Sequence, residues 1–130
     1  WTMKDLIGHL TDWELVGVNG LQQLAAGQTP EFDRPITNFD EFNAANAAAR
    51  MDQSWDEVWA EFTAVRQNLL DLFDQLPEVD LRRSVPAPWG RTIPAYVWMQ
   101  VWMAHDHEHA VDVRHALALS GWPRYLTHHK

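Results

Sequence analysis

Residues 93–119 read IPAYVWMQVWMAHDHEHAVDVRHALAL, a long run dominated by apolar side chains. Read as a helix near 92–120, it is capped by Thr92, tolerates Pro94 in its first turn, and stops at Gly121 and Pro123. Inside it His105 and His109 stand four residues apart. Four residues turn a helix by about 400° and rise about 6 Å, so both imidazoles leave the same face and can reach one metal ion. Imidazole suits that task because it offers a neutral nitrogen near physiological pH. A third histidine, His9, lies in the opening stretch WTMKDLIGHL, flanked by Leu6, Ile7 and Leu10. It is expected to point towards the interior. Three histidines from two helices leave coordination positions open, which is the pattern of a catalytic rather than a closed structural site.

Working outward, the remainder also reads as helix. Thr2 caps a first helix, with Asp5 reaching back as a short-armed capping box, and Leu6, His9/Leu10, Trp13, Val16/Gly17, Gly20/Leu21 and Leu24 mark its stripe. Gly27 and then Pro30 end it. Residues 29–37 hold two prolines and no helical period, so they form a loop. Asn38 caps a shorter helix to about residue 51. Ser54-Trp55-Asp56-Glu57 is a full capping box, and the stripe that follows is Trp55, Val58/Trp59, Phe62, Val65, Leu69, Leu72/Phe73 and Leu76. Pro77 stops that helix. Residues 81–91, with Pro86, Pro88 and Gly90, form a connector. Strand-like alternation is absent. The expected architecture is all-α, an antiparallel four-helix bundle with helices near 2–26, 38–51, 54–76 and 92–120, a common frame for metal sites.

Bulk properties narrow the function. The 130 residues suit one domain, spanning 1–130, with a core that needs no staples. There is no cysteine, which excludes disulfides, thiolate zinc sites and cysteine nucleophiles. A net charge of −8 without a clustered basic run argues against nucleic acid as a partner. No apolar stretch approaches the roughly 20 residues of a bilayer span, and no signal peptide is visible. The expectation is a cytoplasmic protein with no membrane partner.

Each candidate has an ordinary reading as well. His107 sits about 200° from His105 and cannot share its face. His115 faces elsewhere, and His128 and His129 are read as chain-end residues. The pair itself could be a solvated i,i+4 couple beside Asp106 and Glu108. Against that, Val101, Trp102, His105, His109, Asp112 and Leu117 form one stripe, and polar groups set among apolar ones need satisfying at about 1–3 kcal/mol each. The string HDHEH is not the zinc-protease motif, because Asp106 stands where that motif needs glutamate.

The segments WTMKDLIGHLTDWE, FDEFN and HDHEHAVDV together resemble the DinB-like (YfiT-like) superfamily, and the first two look most like its ClbS/DfsB branch. The likeness extends from residue 1 to about 119. It implies a four-helix bundle holding one divalent metal on three histidines, matched here by His9, His105 and His109. Family activities include transferases and isomerases that use low-molecular-weight thiols, and hydrolysis of a genotoxin's cyclopropane. Relatives usually carry a further helix before the Trp-Lys-Asp motif, at which this sequence starts. They also often have glutamine in place of Asp112. The absent helix leads to the expectation of an apolar groove, covered in a homodimer or by a longer native chain.

The resulting expectation is a metal-dependent hydrolase or thiol transferase acting on a small electrophilic substrate. The metal would be zinc, nickel or iron, with a small thiol as the cosubstrate the resemblance suggests. Asp12 and Asp112 are the general-base candidates. Trp13, Trp98 and Trp102 are candidate pocket walls, and Asn43, Asn46 and Arg50 a polar stripe able to reach a substrate carboxylate. The rival is a non-catalytic protein, stapled by its metal, that binds or sequesters a ligand.

Overall fold

The computed structural model describes residues 1–32 and 36–119. Among the described residues, five helices and one hairpin follow in order: α1 (Met3–Ala25), α2 (Phe39–Ala49), α3 (Trp55–Gln75), α4 (Glu78–Arg82), β1 (Ser84–Pro86), β2 (Thr92–Pro94) and α5 (Ala95–Leu119). The all-α expectation holds, with the two short strands as its one exception. The chain divides into two compact units, Trp1–Met99 and Gln100–Lys130. The terminator Gly121–Pro123, His128 and His129 lie outside the described residues. No described helix is long and apolar enough to cross a membrane.

The helix ends in the first unit follow from local chemistry. Thr2 and Asp5 close a reciprocal capping box on α1, and Ser54 with Glu57 does the same on α3. Asn38 Oδ1 accepts from the Glu41 amide to start α2. α1 ends in a Schellman turn: Gln28 N donates to Gln23 O, Gly27 N donates to Leu24 O, and Gly27 takes the left-handed φ of 78° that the turn requires.

α1 and α3 make the core. Leu10, Val18, Leu21 and Leu24 are buried on α1, as are Val58, Val65, Leu69, Leu72 and Phe73 on α3, each contributing about 1.5–3 kcal/mol relative to exposure. Gly8 approaches Val58 and Glu14 pairs with Arg66, so the two helices advance in the same sense. α2 makes the return: Trp13 meets Phe42 and Asn43 while Gly8 meets Arg50, so α2 runs antiparallel to α1. Gly20 admits the fully buried Trp98, whose ring atoms lie 3.0 Å from where a Cβ would stand.

Three sequence expectations are corrected. Trp55 and Trp59 are not core. They are 43% and 44% exposed and stack on each other, with centroids 5.7 Å apart. Residues 78–82 are helical, with acids in the first turn, Arg82 in the last and a Glu78–Arg82 ion pair across the turn. Finally, Thr92 does not cap the last helix. Proline forces the residue before it towards extended backbone, so Thr92 and Ile93 pair with Pro86 and Val85, and α5 begins only after Pro94.

In the second unit, the described part of α5 turns its less exposed positions, Trp102, His105, Asp106, His109, Val113 and Leu117, to one stripe. Val101 and Asp112, expected there, are exposed instead. From His109 the burial continues at the i+4 position, Val113, rather than at i+3.

Gly20→Ala tests the core directly. A methyl there meets Phe32 at 2.9 Å and the immobile Trp98 ring at 3.0 Å. Overpacking of about 1–3 kcal/mol should outweigh the helix-propensity gain of about 1 kcal/mol, giving a net loss in urea unfolding.

Candidate metal centre

His9 lies two turns into α1 and is 8% exposed. The Trp1 ring packs on its imidazole at 4.9 Å and 59°. On the same unit Trp1, Lys4, Asp5, His9, Asp12, Asn43, Ala47 and Arg50 line one narrow pocket. Four residues picked from the sequence, His9, Asp12, Asn43 and Arg50, thus meet in one place.

Their partners define what each can do. Asp12 accepts from Arg50 through both carboxylate oxygens, at 2.7–3.1 Å. The other edge of the same guanidinium donates to Glu61 at 2.7 Å and to Gln53 at 3.0 Å. These hydrogen bonds, to Asp12 foremost and then Glu61, raise the Arg50 pKa further above its already high ordinary value, so it is a permanent cation. Asn43 Oδ1 accepts from the Trp13 indole N–H at 2.9 Å, and Phe39 and Phe42 pack around the Trp13 ring. Arg50, Asn43 and Trp13 therefore bind one another's helices here. Trp98 fills the core between Gly20 and Phe32. Trp102 is buried on α5.

On α5, His105 and His109 are half-buried, with Nε2 atoms 3.0 Å apart and ring planes at 75°. Two neutral rings so placed either share one proton or direct both lone pairs at one cation. Ligand nitrogens about 2.1 Å from a metal stand about 3.0–3.4 Å apart for right-angle to tetrahedral geometry, which the pair meets. Burial, and then the neighbouring His109, push the His105 pKa below its ordinary 6.5, with Asp106 and Glu108 opposing. A neutral ring is the ligating form. The Asp112 carboxylate lies 3.8 Å from His109 Nδ1, on the ring's other side, with its side chain 76% exposed. His105 and His109 thus offer two ligand nitrogens on the second unit, and His9 offers a buried imidazole on the first.

Three participants escaped the sequence reading. Glu14, 2% exposed, pairs with Arg66 of α3, whose guanidinium also lies over Phe62 at 5.0 Å. The signal was available, because Glu14 continues the Leu10, Gly17, Leu21 and Leu24 stripe. Lys4 donates to the Met51 and Gln53 carbonyls, tying the start of α1 to the α2–α3 turn. Glu61 completes the Arg50 cluster. A wider groove of about 670 Å³, bordered by Asn19, Gln22, Gln28, Phe32 and Phe42, contains none of the candidate metal, catalytic or substrate residues read from the sequence.

The family model of the DinB superfamily matches residues 1–111. No curated protein and no solved structure matches the chain.

The depressed His105 pKa carries a stability consequence. The unfolded chain binds this proton near 6.5 and the folded protein only at lower pH. The contribution is therefore complete above 6.5 and lost as pH falls through the folded value. Metal-free protein should lose melting temperature as pH falls below 6.5, and His105→Gln should flatten that dependence.

Proposed function

The chain belongs to the DinB superfamily, and from that premise we propose that it is a metal-dependent enzyme using His9, His105 and His109 to hold one divalent ion, zinc, nickel or iron. The reaction we assign is hydrolysis of, or thiol transfer to, a small electrophilic substrate. The observation that carries this reading is the His105–His109 pair: two nitrogens 3.0 Å apart, with burial favouring the neutral form of the His105 ring. Asp112 facing Nδ1 of His109 supports it, since a carboxylate there leaves Nε2 for the ion. The WTMKDLIGH and FDEFN segments favour a place near the ClbS/DfsB branch.

A divalent ion in this setting supplies Lewis acidity, which activates water or a small thiol near neutral pH. The protein's own residues do the rest. The two α5 imidazoles present Nε2 side by side. Trp1 packs its ring at a tilt against the His9 imidazole. Asp12 is engaged through both oxygens by Arg50, so its part is to fix that side chain and the turn of α1 that bears it.

Metal content and melting test the assignment together. Protein prepared without chelators should carry about one equivalent of metal, and His105→Ala should lower affinity beyond the ~10–100-fold typical of losing an outer partner. Chelation should cost only the binding linkage, about 2.7 kcal/mol at a hundredfold excess over Kd, leaving the helices folded. Turnover of reactive electrophiles, with and without small thiols, should vanish with the metal. Unfolding on chelation with no substrate turned over would instead identify a metal-stapled binding protein.

A further inference from the structure

We propose that Arg50 is a positioning residue for His9, acting through Asp12 and across Gly8; the inference rests on the metal-binding reading above. Arg50 is the C-cap of α2, and its side chain, 12% exposed, crosses α1 at the turn that presents His9. Its aliphatic stem passes over Gly8, the residue immediately before His9. A Cβ on Gly8 would stand 2.8 Å from Arg50 Cδ and 3.4 Å from Nε. Its guanidinium then closes on Asp12, four residues further along the same face of α1. His9 lies between the two points at which this one side chain holds the helix.

The stem has little freedom to move. Asp12 engages Nε and Nη2, while Glu61 of α3 and Gln53 engage Nη1 from the opposite edge. Swinging Cδ away from Gly8 pulls the guanidinium off at least one carboxylate. Lysine cannot reproduce the arrangement, because an ammonium lacks the planar fork that serves two carboxylates at once. The glycine and the arginine therefore work as one device: the first opens the path, and the second fixes the direction in which α1 offers its imidazole. An outer partner that orients a ligand histidine typically affects metal affinity 10–100-fold, by about the same logic as a hydrogen-bonded carboxylate.

The test is equilibrium titration of the full chain with Co(II), alongside melting of the metal-free protein, for wild type, His9→Ala, Arg50→Lys, Arg50→Ala, Gly8→Ala and Gly8→Ala/Arg50→Ala. Arg50→Lys is expected to weaken Co(II) binding by about tenfold while the helical signal is retained. Gly8→Ala is expected to weaken binding in the wild-type background, and to add nothing once Arg50 is alanine. Affinity unchanged in Arg50→Lys and in Gly8→Ala, with His9→Ala still abolishing binding, would overturn the positioning role and leave the metal reading intact. Binding indifferent to His9→Ala would overturn the metal reading, and the positioning role with it.

Discussion

A guanidinium withdrawn from water must find its acceptors inside the protein, and Arg50 finds them on two other helices at once. Asp12 lies on α1, Glu61 on α3, and Arg50 itself at the end of α2. Removing any of the three would strand charge in a part-buried setting, so the helix ends cannot drift independently. Other features of this end of the first unit follow. Lys4 reaches the carbonyls of the α2–α3 turn because that turn is already held against α1. α2, which has no fully buried residue of its own, is kept in place by this cluster and by Trp13 with its ring partners and Asn43.

A second charge pair, Glu14 with Arg66, joins α1 to α3 deeper in the same unit. It explains why two helices with a shared apolar seam settle in one register. Sliding either by a turn would keep most aliphatic contacts but bury Glu14 without its cation. Apolar side chains set how firmly the two helices adhere, whereas the ion pair discriminates among alternative alignments, a role for which buried polar groups have precedent.

Helix identity was legible because it is local. Capping boxes at Thr2 and Ser54, the Asn38 cap and the Gly27 terminator act within a few residues, and each lies where the sequence pattern puts it. The hairpin was not legible, since pairing of 84–86 with 92–94 depends on partners across a turn and on the extended bias before Pro94. Trp55 and Trp59 misled for a related reason: periodicity ranks positions around a helix but does not say how wide the covered arc is. Among the site residues, the His105–His109 spacing translated into ring proximity because four residues on a helix are neighbours by geometry alone. The commitments of Asp12 and Arg50 to each other were invisible, being 38 residues apart in the chain.

The tie between Lys4 and the α2–α3 turn also bears on the order in which the protein acquires structure. Its hydrogen bonds span 47 and 49 residues. Loops of that size close late relative to single helices, because the chain entropy must be surrendered before any contact rewards it. α1 is made before α3 during synthesis, so the part of its buried face that α3 covers waits until α3 is present. The nascent segment therefore exposes Leu10, Val18, Leu21 and Leu24 for the time needed to translate about 50 further residues, at roughly 5–20 residues per second a matter of seconds.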